Sequence, residues 1–431
     1  MGAVSTTERP ALTDFWHDLP REGKWLLSTI IFDFIGTGLV LPFSVVYLHE
    51  VRDIPLSTVG VLLGIPAVVG LLLVGPAGAL MDRFGARRLL VAALSVQILA
   101  EVLLSQARGP VSAALALTLL GVAGSAIWPG ISTMVAAIMP SHIRQRYFGV
   151  SFTMLNLGIG IGGIAGGLFV DVDRPGTFVA IYLLNALSFV APLLVLLGPL
   201  RHITGTPQHT DDDADTTSYA VVLRDRQLRP VLVLAFVAGF VGYAQLNSGM
   251  PAYARAEGGI STQALGWAYA LNTVVIVVLQ LLVLQRIEGR RRTRVLVVMA
   301  VVWALAWASL GGAGLVGSAL MAAVLVATCA AVFGLGETFY QPTVPAMVND
   351  LAPARSTGRY NAALTGTFQL SGLVGPAVSG VLIGHGLGAV YIGVLVAGCG
   401  VVAALALHVE RRISPAANGV RPAVEEVVLS A

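Results

Sequence analysis

The sequence has little charge, a single lysine and only two cysteines. Charged residues make up 11% of its 431 positions, whereas soluble domains contain about 25%. This shortage, together with a hydrophobic content of 56%, argues against a soluble domain and predicts a membrane protein. The net charge of +3 gives no reason to expect a nucleic-acid partner, because the arginines lie near the predicted membrane edges.

Several motifs of catalytic and metal chemistry are missing. The only lysine, Lys24, precedes Trp25, so the sequence lacks a Walker-type ATP site. The stretch HEVRD at 49–53 lacks the second histidine of a zinc-binding helix, and no Gly-x-Ser-x-Gly nucleophile pattern occurs. Cys329 and Cys399 fall in apolar stretches and suggest neither a disulfide framework nor a metal site. We therefore expect no enzyme, no metal and no organic cofactor.

Apolar runs long enough to cross a bilayer recur along the whole chain. A hydrocarbon core of about 30 Å requires about 20 helical residues. Twelve spans are predicted, at 25–48, 57–80, 89–107, 111–138, 148–170, 177–198, 230–253, 263–285, 295–311, 318–350, 361–383 and 388–408. The first run is too long for the apolar part of a cleavable signal peptide.

The basic residues predict the orientation of these spans. With the N-terminus in the cytoplasm, 22 of the 26 lie on the cytoplasmic side, and only Arg52, Arg108, Arg174 and Arg255 lie outside. This asymmetry follows the positive-inside rule. We expect a multi-pass protein of the cell membrane with both termini in the cytoplasm.

The spans divide into two sets of six around a polar stretch. The predicted parts are a cytoplasmic N-terminal segment at 1–24, a six-helix bundle at 25–198, a cytoplasmic loop at 199–229, a second six-helix bundle at 230–408 and a cytoplasmic tail at 409–431. The loop contains the acidic run TPQHTDDDADTTS at 206–218. We interpret this run as a solvated linker, with a binding tail as the alternative.

The two bundles repeat each other. The stretches WPGISTMVAAIMPSHIRQRYFG at 128–149 and QPTVPAMVNDLAPARSTGRYNA at 341–362 align at a constant offset of 213, which pairs Arg146 with Arg359. Such repeats are typical of secondary transporters, whose substrate site lies near mid-membrane between the repeats. We expect two pseudo-symmetric halves within one chain, so a monomer suffices.

Small residues mark the repeat in the fifth and eleventh spans. The marked positions are Gly158, Gly162, Gly166, Gly167, Gly375, Pro376 and Gly380. Small residues four apart let two helices approach closely. Ordinary packing without a functional role is the alternative.

The stretch GALMDRFGARR follows the second span. Its marked positions are Gly78, Asp82, Arg83, Gly85, Arg87 and Arg88. It closely resembles the loop signature of the major facilitator superfamily. The run GIGIGGIAGG in the fifth span resembles the antiporter motif of the twelve-helix drug:proton exporters in that superfamily, with Gly163 in place of the usual proline.

The resemblance implies an all-α polytopic fold and secondary active transport by alternating access. It implies efflux of small amphipathic or drug-like molecules, with a proton as the coupling ion. Import of a small metabolite is an alternative, and so is a non-transporting membrane scaffold or sensor. The fourth span carries no charged residue, whereas exporters of this family usually carry an arginine there.

In the family, the loop signature latches the cytoplasmic face of the outward-open form. The resemblance carries this role to Asp82 and Arg83, with a simple topology anchor as the alternative. The second half has only a degenerate copy, QRIEGRRR at 285–292, with Gln285 at the position of Asp82. This predicts a one-sided latch.

Three acids fall within predicted spans: Asp33, Glu101 and Glu337. No lysine or arginine lies in a span to neutralise them, and a charge at mid-membrane costs about 2.5–3.5 kcal/mol, so such acids are functional by default. In the family the first, fourth, seventh and tenth spans line the central cavity. Asp33 and Glu337 are therefore the leading candidates for binding a proton or a cationic substrate, ahead of Glu101. A neutral acid hydrogen-bonded to a neighbouring helix is the alternative for each.

Other polar or aromatic side chains are candidates for the cavity wall. They are Tyr243, Gln245, Asn247, Asn272, Gln280, Asn156, Gln369 and Trp128. Each amide or hydroxyl, taken alone, is more often a contact between helices than a ligand.

Overall fold

The computed structural model describes residues 12–205 and 219–420. Within these ranges, twelve helices are long and apolar enough to cross a membrane, which confirms the predicted number of spans. They are α1 Arg21–Val40, α2 Leu56–Phe84, α3 Ala86–Ser105, α4 Pro110–Ile138, α5 Ser141–Phe169, α6 Pro175–Ser188 with Val190–Leu197, α7 Leu228–Val241 with Tyr243–Asn247, α8 Thr262–Ile287, α9 Arg292–Ala313, α10 Ala319–Leu351, α11 Thr357–Gly384 and α12 Gly388–Glu410. The acidic run at 206–218 lies outside the described residues.

Shorter elements connect the long helices. They are Leu12–Asp18, the 3₁₀ turn Leu41–Phe43, Ser44–Val46, the π turn Tyr47–Val51, Tyr219–Arg224, Gly249–Ala256 and the 3₁₀ turn Ala354–Ser356. The described residues contain no strand.

The long helices form two halves of six with matching internal contacts. In the N-terminal half α1 packs on α5 and α3 on α4, and in the C-terminal half α7 packs on α11 and α9 on α10. The halves meet where α2 packs on α11 and α5 on α8. This pseudo-symmetry agrees with the repeat read from the sequence.

Glycine allows the backbones of α1 and α5 to touch. A Cβ added at Gly158 would lie 2.9 Å from the Ile31 carbonyl oxygen, and one at Gly162 would lie 2.9 Å from the Gly38 Cα. The small-residue face is less uniform than the sequence suggests, because Gly167 has its nearest neighbour at 3.6 Å and Gly380 has none within 4 Å. Close approach therefore explains only part of the glycine pattern.

Two helices of the N-terminal half are broken in mid-course. Regular α1 ends at Val40, just before Pro42, and α6 is interrupted at Phe189, three residues before Pro192. Proline has no backbone N–H and cannot donate to the carbonyl four residues earlier. Each proline therefore removes one helical hydrogen bond near the point where the regular helix stops.

The apolar core differs between the halves. In the C-terminal half a large cluster of buried side chains runs from Val222 to Ile413, and a small separate cluster surrounds Leu284. In the N-terminal half the buried side chains form two clusters, one around Leu90 and Tyr147 and the other around Tyr47 and Leu117. Polar groups of α3 and α6 lie where the two clusters meet.

Candidate functional site

Ion pairs join the halves at one end of the bundle, where α2 leads into α3. We call this the basic end, since Arg83, Arg87, Arg144 and Arg292 lie there. Asp82, at the end of α2, accepts from the backbone N–H groups of Gly358 (2.8 Å) and Arg359 (3.2 Å). It also accepts from Arg359 Nη1 at 2.9 Å. One carboxylate of the N-terminal half thus holds the first turn of α11.

The C-terminal half provides the matching contact. Glu288, just after α8, forms an ion pair with Arg146 on α5. Arg146 and Arg359 are the repeat-related pair, so each half offers one carboxylate to the equivalent arginine of the other. The predicted one-sided latch is therefore wrong. The carboxylate of the second contact belongs to Glu288, three residues beyond Gln285. Glutamate has a longer side chain than aspartate, which offsets part of this shift in position.

A third acid at the basic end, Asp350, was not predicted from the sequence. Asp350, at the end of α10, accepts from Arg144 Nη1 at 2.5 Å and from Arg292 Nη1 at 2.7 Å. Arg144 belongs to the N-terminal half, whereas Arg292 is the first residue of α9 in the C-terminal half. Asp350 therefore links the two halves and also joins α10 to α9. No motif in the sequence marks this position.

The remaining signature residues have separate roles. Gly85 has a φ of +91° at the turn between α2 and α3, which favours glycine. The Gly78 carbonyl oxygen would lie 2.8 Å from a Cβ at Gly358, so the two helices touch there. Arg87 donates to the Leu196 carbonyl at 3.2 Å, and Arg88 is exposed. Arg83 is exposed over the Phe84 ring, away from the Asp82 contact.

Trp128 on α4 lies one turn before Ser132, whose carbonyl accepts from Asn349 Nδ2 of the other half at 3.2 Å. The Trp128 side chain is 52% exposed, and its ring centroid lies 6.0 Å from that of Phe34. The two rings form an aromatic contact between α4 and α1.

Glu337 on α10 is buried inside the C-terminal half. Its Oε2 accepts from Asn272 Nδ2 of α8 at 2.9 Å, and the Tyr243 hydroxyl lies beside the same carboxyl. Ring centroids of four aromatic side chains lie between 5.0 and 6.1 Å from that of Tyr243: Trp303, Phe333, Tyr340 and Phe368. The structure places Glu337 behind this aromatic cluster rather than on an open cavity wall.

Asp33 on α1 and Glu101 on α3 both lie in the N-terminal half. The Oδ1 atom of Asp33 is buried without a hydrogen-bond partner. Glu101 on α3 is 4% exposed and accepts from Gln97 Nε2 at 3.2 Å. The acid ranked lowest from the sequence is thus as buried as Glu337, and the three acids occupy both halves.

Two of the other predicted cavity residues bridge helices. Gln245 Nε2 donates to the Gly375 carbonyl at 3.4 Å, and Gln280 Nε2 donates to the Thr338 carbonyl at 3.1 Å. Asn156 bonds within its own helix, to the Phe152 carbonyl.

Two further predicted residues lie elsewhere. Gln369 on α11 packs beside Gly70 of α2, across the interface between the halves. Asn247 is exposed.

The sequence pattern of the Major Facilitator Superfamily matches residues 26–333 and, in a second match, 259–430. The chain is 22% identical over 388 residues to the MFS-type transporter YttB of Bacillus subtilis (strain 168), covering 88% of this chain and 92% of that protein. It is 22% identical over 363 residues to Multidrug resistance protein 2 of the same organism, covering 83% and 87%.

A crystal structure of a bacterial homologue of the iron transporter ferroportin, in an outward-facing state, superposes with a TM-score of 0.72. The identity is 14%, and the match covers 91% of this chain and 100% of that one. At this identity the similarity concerns the fold alone.

Proposed function

The chain belongs to the Major Facilitator Superfamily, and from this premise we propose that it exports small amphipathic compounds in exchange for protons. The proposed transporter works by alternating access, as a monomer in the cell membrane with both termini in the cytoplasm. It uses no ATP and no cofactor besides the coupling proton.

One observation carries the proposal. The halves are held together at the basic end by reciprocal ion pairs between repeat-related positions, Asp82 with Arg359 and Glu288 with Arg146. A pair of symmetric contacts across a pseudo-two-fold axis closes one end of a central path and releases it when the halves rock. With the basic end in the cytoplasm, this structure is the form closed to the cytoplasm.

Two acids within the spans supply the means of coupling. Asp33 and Glu337 have no arginine or lysine partner within the described spans, so protonation is the simplest way to neutralise them. In the proposed cycle a proton from outside binds Asp33 or Glu337 and displaces the substrate. The halves then rock, and the proton leaves to the cytoplasm.

The aromatic pair of Trp128 and Phe34 favours an amphipathic substrate, because aromatic faces attract apolar and cationic molecules. The similarity to Multidrug resistance protein 2 supports the same substrate class.

A whole-cell assay tests this function. We would express the wild-type protein, Asp33→Asn and Glu337→Gln at equal levels in a host stripped of its own exporters. The expected result is that the wild type excludes cationic dyes, that a protonophore abolishes exclusion, and that at least one variant fails to exclude. Exclusion that resists the protonophore, or that survives in both variants, would contradict coupling through these acids.

A further inference from the structure

The N-terminal half contains a polar cavity separate from the ion pairs of the basic end. Its volume is about 190 Å³, and it lies among α1, α3, α4 and α6, toward the opposite end of the bundle. One water requires a cavity of about 15 Å³, so this space has room for a small ion together with several waters.

Two buried oxygen atoms of the cavity wall lack donors. Glu101 and Asn185, which are 4% and 2% exposed, both line the cavity. Neither Glu101 Oε2 nor Asn185 Oδ1 has a hydrogen-bond partner. The Gln97 amide already donates to the other oxygen of Glu101. A carboxylate and an amide oxygen only accept hydrogen bonds, so a bound cation would satisfy both atoms at once.

The backbone around the cavity is irregular on two sides. Val40, where regular α1 ends, and Phe189, where α6 is interrupted, both line the cavity. The carbonyl oxygens of Val40 and Phe189 already accept from Ser44 Oγ at 3.1 Å and from the Leu193 N–H at 3.3 Å, so the ligands that this cavity offers are side-chain oxygens. The hydroxyl-bearing side chains of Thr37, Ser44 and Tyr182 add further oxygen atoms to the wall.

The cavity also lies where the apolar core of the N-terminal half is divided. Leu104 and Leu117 on its wall belong to one buried cluster, and Phe189 belongs to the other. Polar side chains therefore take the place of apolar packing at this junction.

We propose that this cavity binds a small alkali cation, Na⁺ or Li⁺, with Glu101 as the charged ligand and Asn185 as a neutral oxygen ligand. Glu101 is the only carboxylate among the lining residues, so a monovalent ion balances its charge. A divalent ion would leave excess positive charge in apolar surroundings. The site uses neither Asp33 nor Glu337, the acids that take the proton in the proposed cycle.

Thermal unfolding of the purified full-length protein tests the site. We would compare NaCl and LiCl with N-methylglucamine chloride at equal ionic strength. Either alkali salt should raise the unfolding temperature of the wild type saturably, because a ligand that binds only the folded state stabilises it. Glu101→Gln should abolish this rise. Asn185→Leu should increase the half-saturating concentration roughly tenfold, the scale on which a lost supporting group weakens a metal site.

Glu337→Gln is the matched control, because it makes the same chemical change in the other half. It should retain the response to Na⁺. The proposal is overturned if Glu101→Gln responds like the wild type, or if all three salts act alike. Stabilisation by Ca²⁺ or Mg²⁺ alone would also overturn it, because the charge argument would then be wrong. If Glu101→Gln does not fold, the Na⁺ titration of Asn185→Leu is the test, and a half-saturating concentration equal to that of the wild type would overturn the proposal.

Discussion

Substitution of Gly162 by alanine should separate α1 from α5. The added Cβ would lie 2.9 Å from both the Gly38 Cα and the Leu39 nitrogen, and closer still to the Ile35 carbonyl oxygen. Ordinary contacts begin at 3.4 Å, so the helices would have to part by at least 0.5 Å. All three neighbours are backbone atoms, and no side-chain rotation relieves the overlap. Overpacking of this kind costs about 1–3 kcal/mol.

The control is the adjacent residue of the same helix. A Cβ at Gly163 would have its nearest neighbour at 3.8 Å, so Gly163→Ala keeps the packing and gains about 1 kcal/mol of helix propensity. Thermal stability in detergent, followed by fluorescence size exclusion, should fall for Gly162→Ala and stay equal or rise for Gly163→Ala. Equal stability of Gly162→Ala and the wild type would refute the backbone contact between α1 and α5.

Three further predictions concern the contacts between and within the halves. Glu288→Gln and Asp82→Asn should each favour opening of the basic end, so a cysteine placed at Thr133, which is buried beside Asn361 of the other half, should react faster with a thiol reagent; unchanged rates would contradict the latch. Asn272→Leu should lower the free energy of unfolding by about 1–3 kcal/mol, because it leaves Glu337 without its amide donor; Asn247→Leu, at an exposed position, should not. Trp128→Ala should raise the KM for an aromatic dye but leave the melting temperature unchanged, since Trp128 is largely exposed; a fall in melting temperature would show that it is a packing residue.

The parts of the fold that the sequence predicts well are those with local causes. Twelve spans follow from twelve apolar runs, and the pairing of Arg146 with Arg359 follows from the constant offset of the repeat. The break of α1 after Val40 did not follow from the same pattern, because the apolar run continues through Pro42 to position 48.

The site was harder to predict because its contacts join distant helices. Glu288 was missed since the aligned position, Gln285, carries no charge. The relation between Gln97 and Glu101 is visible in the sequence as i and i+4, but Asn185 comes from a helix about 80 residues away. Trp128 differs from buried tryptophans such as Trp303 only in its exposure. The exposure of a side chain depends on how the helices pack, which the sequence does not show.

The most direct test of alternating access is a distance between the halves at the basic end. Spin labels would be attached to cysteines that replace the exposed residues Arg83 and Ala354, in a protein with Cys329 and Cys399 changed to alanine. Pulsed electron paramagnetic resonance would then measure the distance between the two labels at high and low pH.

The account predicts a short distance that lengthens in part of the population on acidification, and that fails to respond in Asp33→Asn combined with Glu337→Gln. A single distance at every pH, or the same response in the double variant, would contradict it.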